Sequence, residues 1–159
     1  MEIRPAKKED FKALSEIYVA SYNSLNIGEK WTEETAEKML THLFNTQPDL
    51  NFVAVVEGTI VGGVNALIKP WWDGNHITDG EIFIDPKYQG QKIGKKLLKQ
   101  LFLEAKNKYG AVSWDTFTHV VHTHPLTWYE SMGFEKMPHW AMITGDIEKV
   151  LKNLSSEGI

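Results

Sequence analysis

Gly90 and Gly94 lie in the stretch Asp85-Pro86-Lys87-Tyr88-Gln89-Gly90-Gln91-Lys92-Ile93-Gly94-Lys95-Lys96, between an apolar, strand-like run and a long run with helical spacing. A turn of small residues at a helix start exposes backbone N–H groups at the positive end of the helix dipole, and a phosphate suits them. Missing side chains at Gly90 and Gly94 let the backbone approach closely. Lys87, Lys92, Lys95, Lys96 and Lys99 form a basic island on a chain whose formal charge is −4, which invites an anion. Taken without its neighbours, Gly90 also reads as a plain turn residue and Gly94 as a packing residue. A Walker A loop is excluded by the spacing of the glycines and by Lys95-Lys96 after them, and the dinucleotide fingerprint G-x-G-x-x-G does not occur. His119, His122 and His124 are imidazoles of the kind that bind metals. They are strung along one segment with no cysteine or second acidic cluster to complete a set, so no metal is expected.

The elements that must position these residues follow from periodicity. MEIRPA reads as a first strand and residues 7–22 as a helix with Phe11, Leu14, Ile17, Tyr18 and Ser21 on one face. Thr32 reads as the N-cap of a second helix reaching about Phe44, with Thr35 rather than Glu at the third position. Residues 51–56 and 60–68 make a hairpin across Glu57-Gly58-Thr59, and Pro70 with the Trp71-Trp72-Asp73-Gly74 loop stops it. A strand over 77–84 ends at Asp85-Pro86, because proline cannot continue a ladder. Ile93, Leu97, Leu98, Leu101, Phe102 and Ala105 give one face of a helix to about Lys108, stopped by Gly110. Strands over 111–120 and 140–145, a short helix over 125–132 and a helical tail to Ile159 complete a β-α-α-β-β-β-α-β-α-β order in one α+β domain spanning residues 1–159.

Composition narrows the function classes. Length and a hydrophobic share of 42% suffice for one buried core without a staple. Cysteine is absent, which removes disulfides, thiolate metal sites and a cysteine nucleophile and makes the cytoplasm the default setting. The charged N-terminus does not read as a signal peptide, and no apolar run approaches the ~18 residues of a membrane span. Net negative charge argues against non-specific nucleic-acid binding and suits a cationic substrate.

Two segments carry a resemblance. "YQGQKIGKKLL" resembles the coenzyme A loop of the GNAT N-acetyltransferase family, Gln/Arg-x-x-Gly-x-Gly/Ala, with Gln89 first and Gly94 last. Lys92 stands where the family usually has glycine, so residue 92 must hold a conformation open to a side chain. Downstream, "HPLTWYESMGFEK" resembles the family element A-x-x-x-Tyr-Glu-x-x-Gly-Phe through Tyr129, Glu130, Gly133 and Phe134, with Pro125 replacing alanine and His122 replacing an asparagine. The resemblance is close from about 77 to 135 and loose before 50.

It implies an α/β/α sandwich with a mixed, mostly antiparallel sheet, and acetyl-CoA as cosubstrate. The pantetheine arm would bond to backbone at Ile82, Phe83 and Ile84 as an added strand. The loop Gln89, Gly90, Gln91, Lys92, Ile93, Gly94 and Lys95 would hold the pyrophosphate, with His122 near the cofactor or a second candidate base. Tyr129 matches the family's tyrosine and, as a phenol with a reference pKa of ~10, stays protonated to act as an acid; its other reading is an aromatic that packs the short helix. Glu81 is the favoured base for the amine, with Asp115 as competitor or as an attractor of the cation, and a plain solvent-facing carboxylate as the alternative. Trp31, Trp71 and Trp72 would form an aromatic wall for the amine by cation–π contact. A small-molecule primary amine is the expected acceptor. A peptide or protein acceptor and a catalytically silent CoA-binding module are the alternatives, and a homodimer is the expected assembly.

Overall fold

The computed structural model describes residues 1–156 and divides the chain into two compact units, Met1–Thr116 and the residues from Phe117 onward. In the first unit the chain runs β1 (Glu2–Pro5), α1 (Phe11–Asn23), α2 (Glu33–Thr46), β2 (Asn51–Val56), β3 (Thr59–Trp71), β4 (Gly74–Ile84), α3 (Ile93–Tyr109) and β5 (Ala111–Trp114). The sheet order is β1-β2-β3-β4-β5; the first three pairings are antiparallel and β4–β5 is parallel. This is the expected mixed, mostly antiparallel sheet flanked by helices.

The apolar faces read from sequence are the buried ones. Leu14, Ile17 and Tyr18 of α1 and Leu40 of α2 form one core with Val53 and Phe83. Phe52, one residue along from Val53 and hence on the opposite face, lies near Gln100 and Glu104 of α3. Helix α3 buries Ile93, Leu97, Leu98, Leu101 and Ala105 and ends at Gly110, whose left-handed φ of 62° closes its last turn. At the start of α2 the Thr35 N–H donates to Thr32 Oγ1 at 3.2 Å and the Thr32 N–H donates to Thr35 Oγ1 at 3.0 Å, so a threonine does what a glutamate does in a capping box.

Three expectations are corrected. β3 continues through Pro70 to Trp71, and the supposed loop is only the hairpin tip Trp72-Asp73. Pro70 pairs with Asn75 next to the closing Trp71–Gly74 pair, where alternation turns its nitrogen away from β4. β2 has already ended opposite Asn65, so that side is an edge and no ladder bond is lost. β5 stops at Trp114 instead of Val120, because its ladder with β4 ends at Ile77. No strand forms over 140–145; those residues are exposed and irregular. The second unit holds α4 (Leu126–Glu130) and α5 (Ile147–Ser156), and the expected tail beyond 156 lies outside the described residues.

The Arg4 guanidinium grips Asp10 with two bonds of 2.7 and 2.9 Å, and the Lys7 N–H donates to the same carboxylate at 2.8 Å. Together they fasten the end of β1 to the start of α1. Arg4 beside it holds the Asp10 carboxyl below the usual aspartate range. The contribution is therefore present above the unfolded value of about 3.9 and lost as pH falls through the depressed folded value. Asp10→Asn is expected to lower the melting temperature at neutral pH and to bring it close to that of the wild type in strong acid; parallel melting curves across that range would contradict this.

Candidate functional site

At its start β4 is joined to β5 through Asn75, His76 and Ile77 only, with the Asp115 N–H donating to the Ile77 carbonyl at 2.9 Å. From Thr78 to Ile84 no strand among the described residues pairs that edge. The opposite edge is ladder-bonded to β3, and the Asp85 N–H on the Val61 carbonyl at 2.9 Å fixes the phase. Alternation then gives Phe83 its backbone bonds to β3 and turns Ile82 and Ile84 toward the open edge. The Ile84 carbonyl accepts from Ser21 Oγ at 2.7 Å and from Gln89 Nε2 at 3.2 Å. Ile82 is thus the position with both N–H and C=O aimed along the open edge, while the Phe83 ring is in the core, edge-on to Tyr18 at 5.1 Å.

The divergence of the strands is lined by Trp114, whose ring packs edge-on against Phe102 of α3 at 5.4 Å. A Cβ on Gly80 would lie 2.6 Å from the Trp114 ring and 3.1 Å from the Asn65 carbonyl oxygen. Gly80→Ala therefore forces a shift, expected to cost about 1–3 kcal/mol and to lower the melting temperature by roughly 3–10 °C. An unchanged melt would show that β4 and Trp114 give way freely.

Beyond Ile84, Asp85 accepts from the Lys87 N–H at 2.9 Å and starts a single helical turn over Pro86–Tyr88. Gly90 has φ 76° and Lys92 φ 62°, ψ 15°. Lys92 thus keeps the left-handed turn a glycine would supply, in a small allowed region that disfavours side chains by roughly 1–2 kcal/mol. Immediately after it α3 begins, with no side-chain cap at its first N–H groups. Gln91, Lys92, Lys95 and Lys96 are exposed around this helix start, whereas Ile93 is buried in the core beneath it.

Glu81 and Phe83 share the sheet face that meets α1. The Glu81 Oε2 accepts from the Tyr18 hydroxyl at 3.3 Å and from the Tyr22 hydroxyl. Tyr18 and Tyr22, one turn apart, stack at 4.2 Å, and Trp31 stands edge-on to Tyr18 at 5.1 Å. Burial pushes the Glu81 carboxyl above the usual glutamate range, against the downward pull of the two phenols, and the nearby charges of Glu29 and Asp79 push the same way as burial. Tyr18 is raised as well, chiefly by burial and then by the Glu81 charge, so it is a hydroxyl donor throughout the working range. Neither tyrosine was assigned a role from sequence. The signal available was the four-residue spacing, which places both on the face of α1 already read as buried.

Asp115, Trp71 and Trp72 do not gather around Glu81. Asp115 Oδ2 lies 2.6 Å from His76 Nδ1, and Asp73 Oδ1 lies 2.8 Å from His76 Nε2. The Asp115 carboxylate is therefore engaged with His76 within the protein. Trp71 tilts toward His76 at 6.2 Å and carries Lys69 Nζ over its ring at 4.3 Å, while Trp72 is exposed at the hairpin tip. His76 and Glu81 are five residues apart on one strand, roughly 16 Å, so Trp31 beside Tyr18 and the Trp71-Trp72 pair line different places instead of one wall.

In the second unit, Tyr129 lies in α4, its ring 5.0 Å from Trp128 and 5.1 Å from Phe134, both edge-on. Its N–H donates to the Pro125 carbonyl at 3.1 Å, and the Phe134 N–H returns to the Tyr129 carbonyl at 3.3 Å across Gly133, whose φ is 94°. His122 stands edge-on to His119 at 5.5 Å in the loop before α4.

Residues 47–136 match the family model described as an acetyltransferase (GNAT) domain. Among solved structures, a possible acetyltransferase from Clostridium difficile 630 superposes with a TM-score of 0.75 at 15% identity, covering 92% of this chain and 97% of the other. Glucosamine-6-phosphate N-acetyltransferase from Arabidopsis thaliana gives 0.65 at 19% identity, covering 91% and 98%. A predicted acetyltransferase with acetyl-CoA from Clostridium acetobutylicum gives 0.68 at 15% identity, covering 90% and 95%. No curated relative matches by sequence.

Proposed function

Because the chain belongs to the GNAT acetyltransferase family, we propose that it moves an acetyl group from acetyl-CoA directly to a primary amine of a small molecule, with no covalent enzyme intermediate. The observation that carries this reading is the open edge of β4 leading into the lysine-bearing start of α3. That geometry fits the cosubstrate: an amide-bearing arm finds an N–H and a C=O at Ile82, and a pyrophosphate finds uncapped N–H groups at the positive end of a helix, with Lys92, Lys95 and Lys96 around it. Gln89 serves by holding the Ile84 carbonyl, which fixes where the strand hands over to the loop. The family match over residues 47–136 of this chain takes in parts of both units, which supports the two acting as one acetyltransferase domain over 1–159.

Acetyl-CoA supplies the activated acyl group; the protein supplies proton handling. The Glu81 carboxylate takes a proton from the arriving ammonium group, and the neutral nitrogen bonds to the acyl carbon as the C–S bond breaks. The Tyr129 hydroxyl gives its proton to the departing sulfur and regains one from the nitrogen. Burial of Glu81 serves this by raising its proton affinity toward that of the amine. Trp31 stands next to Tyr18 in the same cluster and supplies an apolar side for the acceptor.

Thiol release from acetyl-CoA, followed against a panel of small amines and lysine-bearing peptides, tests this. Turnover on a small amine is the expected result. Turnover confined to peptides would move the acceptor class, and binding without turnover on any amine would leave a CoA-binding module.

A further inference from the structure

His76 lies beside the one short ladder that joins β4 to β5, paired with Ser113 between the Asn75–Ala111 and Ile77–Trp114 pairs. It is 6% exposed, and each of its ring nitrogens faces a carboxylate, Asp115 at 2.6 Å and Asp73 at 2.8 Å. Both nitrogens can donate only in the doubly protonated ring. Asp73 belongs to the β3–β4 hairpin tip and Asp115 is the first residue after β5, so the imidazolium ties the tip to the point where β5 leaves the sheet. Ser113 Oγ adds a 3.3 Å bond to Asp115, and the Asp115 N–H holds the Ile77 carbonyl.

We propose that His76, clasped by Asp73 and Asp115, is the positioning residue that fixes where β4 and β5 part and thereby sets the acetyl-CoA cleft. The inference rests on the reading that the cosubstrate enters along the open edge of β4. Beyond Ile77 no ladder joins the two strands. The angle at which β5 departs is then governed by the last bonds before the split, and those run through Asp115. The groups that face the ring are Asp115 from the β5 exit, Asp73 from the hairpin tip, and the Trp71 ring with Lys69 on it.

The clasp depends on pH. The hydrogen bond to Asp115 raises the His76 pKa most, burial opposes it, and the Asp115 charge and Asp73 add to the rise. A raised folded value means the contribution is complete below the unfolded value of about 6.5 and is lost as pH rises through the folded one.

The test is the acetyl-CoA dissociation constant and the kcat–KM split for wild type, His76→Gln and Asp115→Asn across this range. Near pH 6, His76→Gln is expected to weaken acetyl-CoA binding about tenfold with kcat at saturation within about twofold. That ratio should shrink toward one as pH rises through the His76 titration, because the wild type loses the same clasp. Asp115→Asn keeps an acceptor for a neutral ring and should move the pH response of binding downward, which keeps the proposal testable even where His76→Gln folds poorly. Wild type and both variants sharing one dissociation constant at every pH, with only a lowered melting temperature in the variants, would overturn the proposal. Wild type that binds no acetyl-CoA at any pH would overturn it together with the acetyltransferase reading, whereas binding by wild type and a flat ratio overturns the clasp alone.

Discussion

Glu81→Gln is expected to lower kcat/KM for the amine by about 10²- to 10⁴-fold while leaving acetyl-CoA affinity within about twofold. The substitution is nearly isosteric, and the amide oxygen still accepts from the Tyr18 and Tyr22 hydroxyls, so the cluster at the end of β4 keeps its shape. What is lost is the ability to take a proton. The sign of the pH dependence follows from the same site. Burial lifts the Glu81 carboxyl above the ordinary glutamate value of about 4.3, so the wild-type rate falls as pH drops through that raised value, where an ordinary surface carboxylate would still be ionised. The variant should lack that acid limb. A variant that keeps its rate and its pH profile would return Glu81 to a structural role under the two phenols.

Tyr129→Phe is expected to reduce kcat by about 10²- to 10³-fold with acetyl-CoA affinity retained. Phenylalanine preserves the edge-on contacts with Trp128 and Phe134, and the backbone bonds of α4 do not involve the hydroxyl. A deleted oxygen thus separates proton supply from packing. Loss of rate with an unchanged melting temperature assigns the acid; an unchanged rate makes Tyr129 the aromatic that packs the short helix. Double substitution with Glu81→Gln should fall short of the product of the two losses, as for groups that serve one transfer.

Much of the fold was legible because periodicity and punctuation agreed. The face of α3 from Ile93 to Ala105 and the stop at Gly110 read directly off spacing and one glycine. Thr32 capped α2 although the usual glutamate was missing, since Thr35 offers the same reciprocal bonds. Pro70 misled because a proline breaks a ladder only where its N–H is needed, and strand position relative to β2 decides that. Trp114 to Val120 is rich in residues that favour strands, yet β-propensity describes fit to a partner, and beyond Ile77 β4 offers β5 none.

The site was legible in its local parts and hidden in its long-range ones. The β4 end and the glycine loop are contiguous in sequence, so the resemblance to the family's coenzyme A loop could propose Ile82, Gln89 and Gly94 together. Which backbone groups of 82–84 face outward depends on the register with β3, which no local pattern specifies. Asp115 read as an attractor for a cationic amine, while its carboxylate lies on the His76 ring, 39 residues earlier. Tyr22 meets Glu81 across 59 residues for the same reason. Lys92 shows the reverse: sequence marked a missing glycine, and the backbone kept the glycine's conformation regardless.

The measurement that bears most directly on an acetyl-CoA cleft along β4 is titration calorimetry of the whole chain with acetyl-CoA, repeated on Ile82→Pro, which removes the N–H at the position whose N–H and C=O both face the open edge. Micromolar binding by the wild type, weakened at least tenfold in the variant at unchanged melting temperature, is the expected result. No binding by the wild type, or equal binding by both, would contradict it.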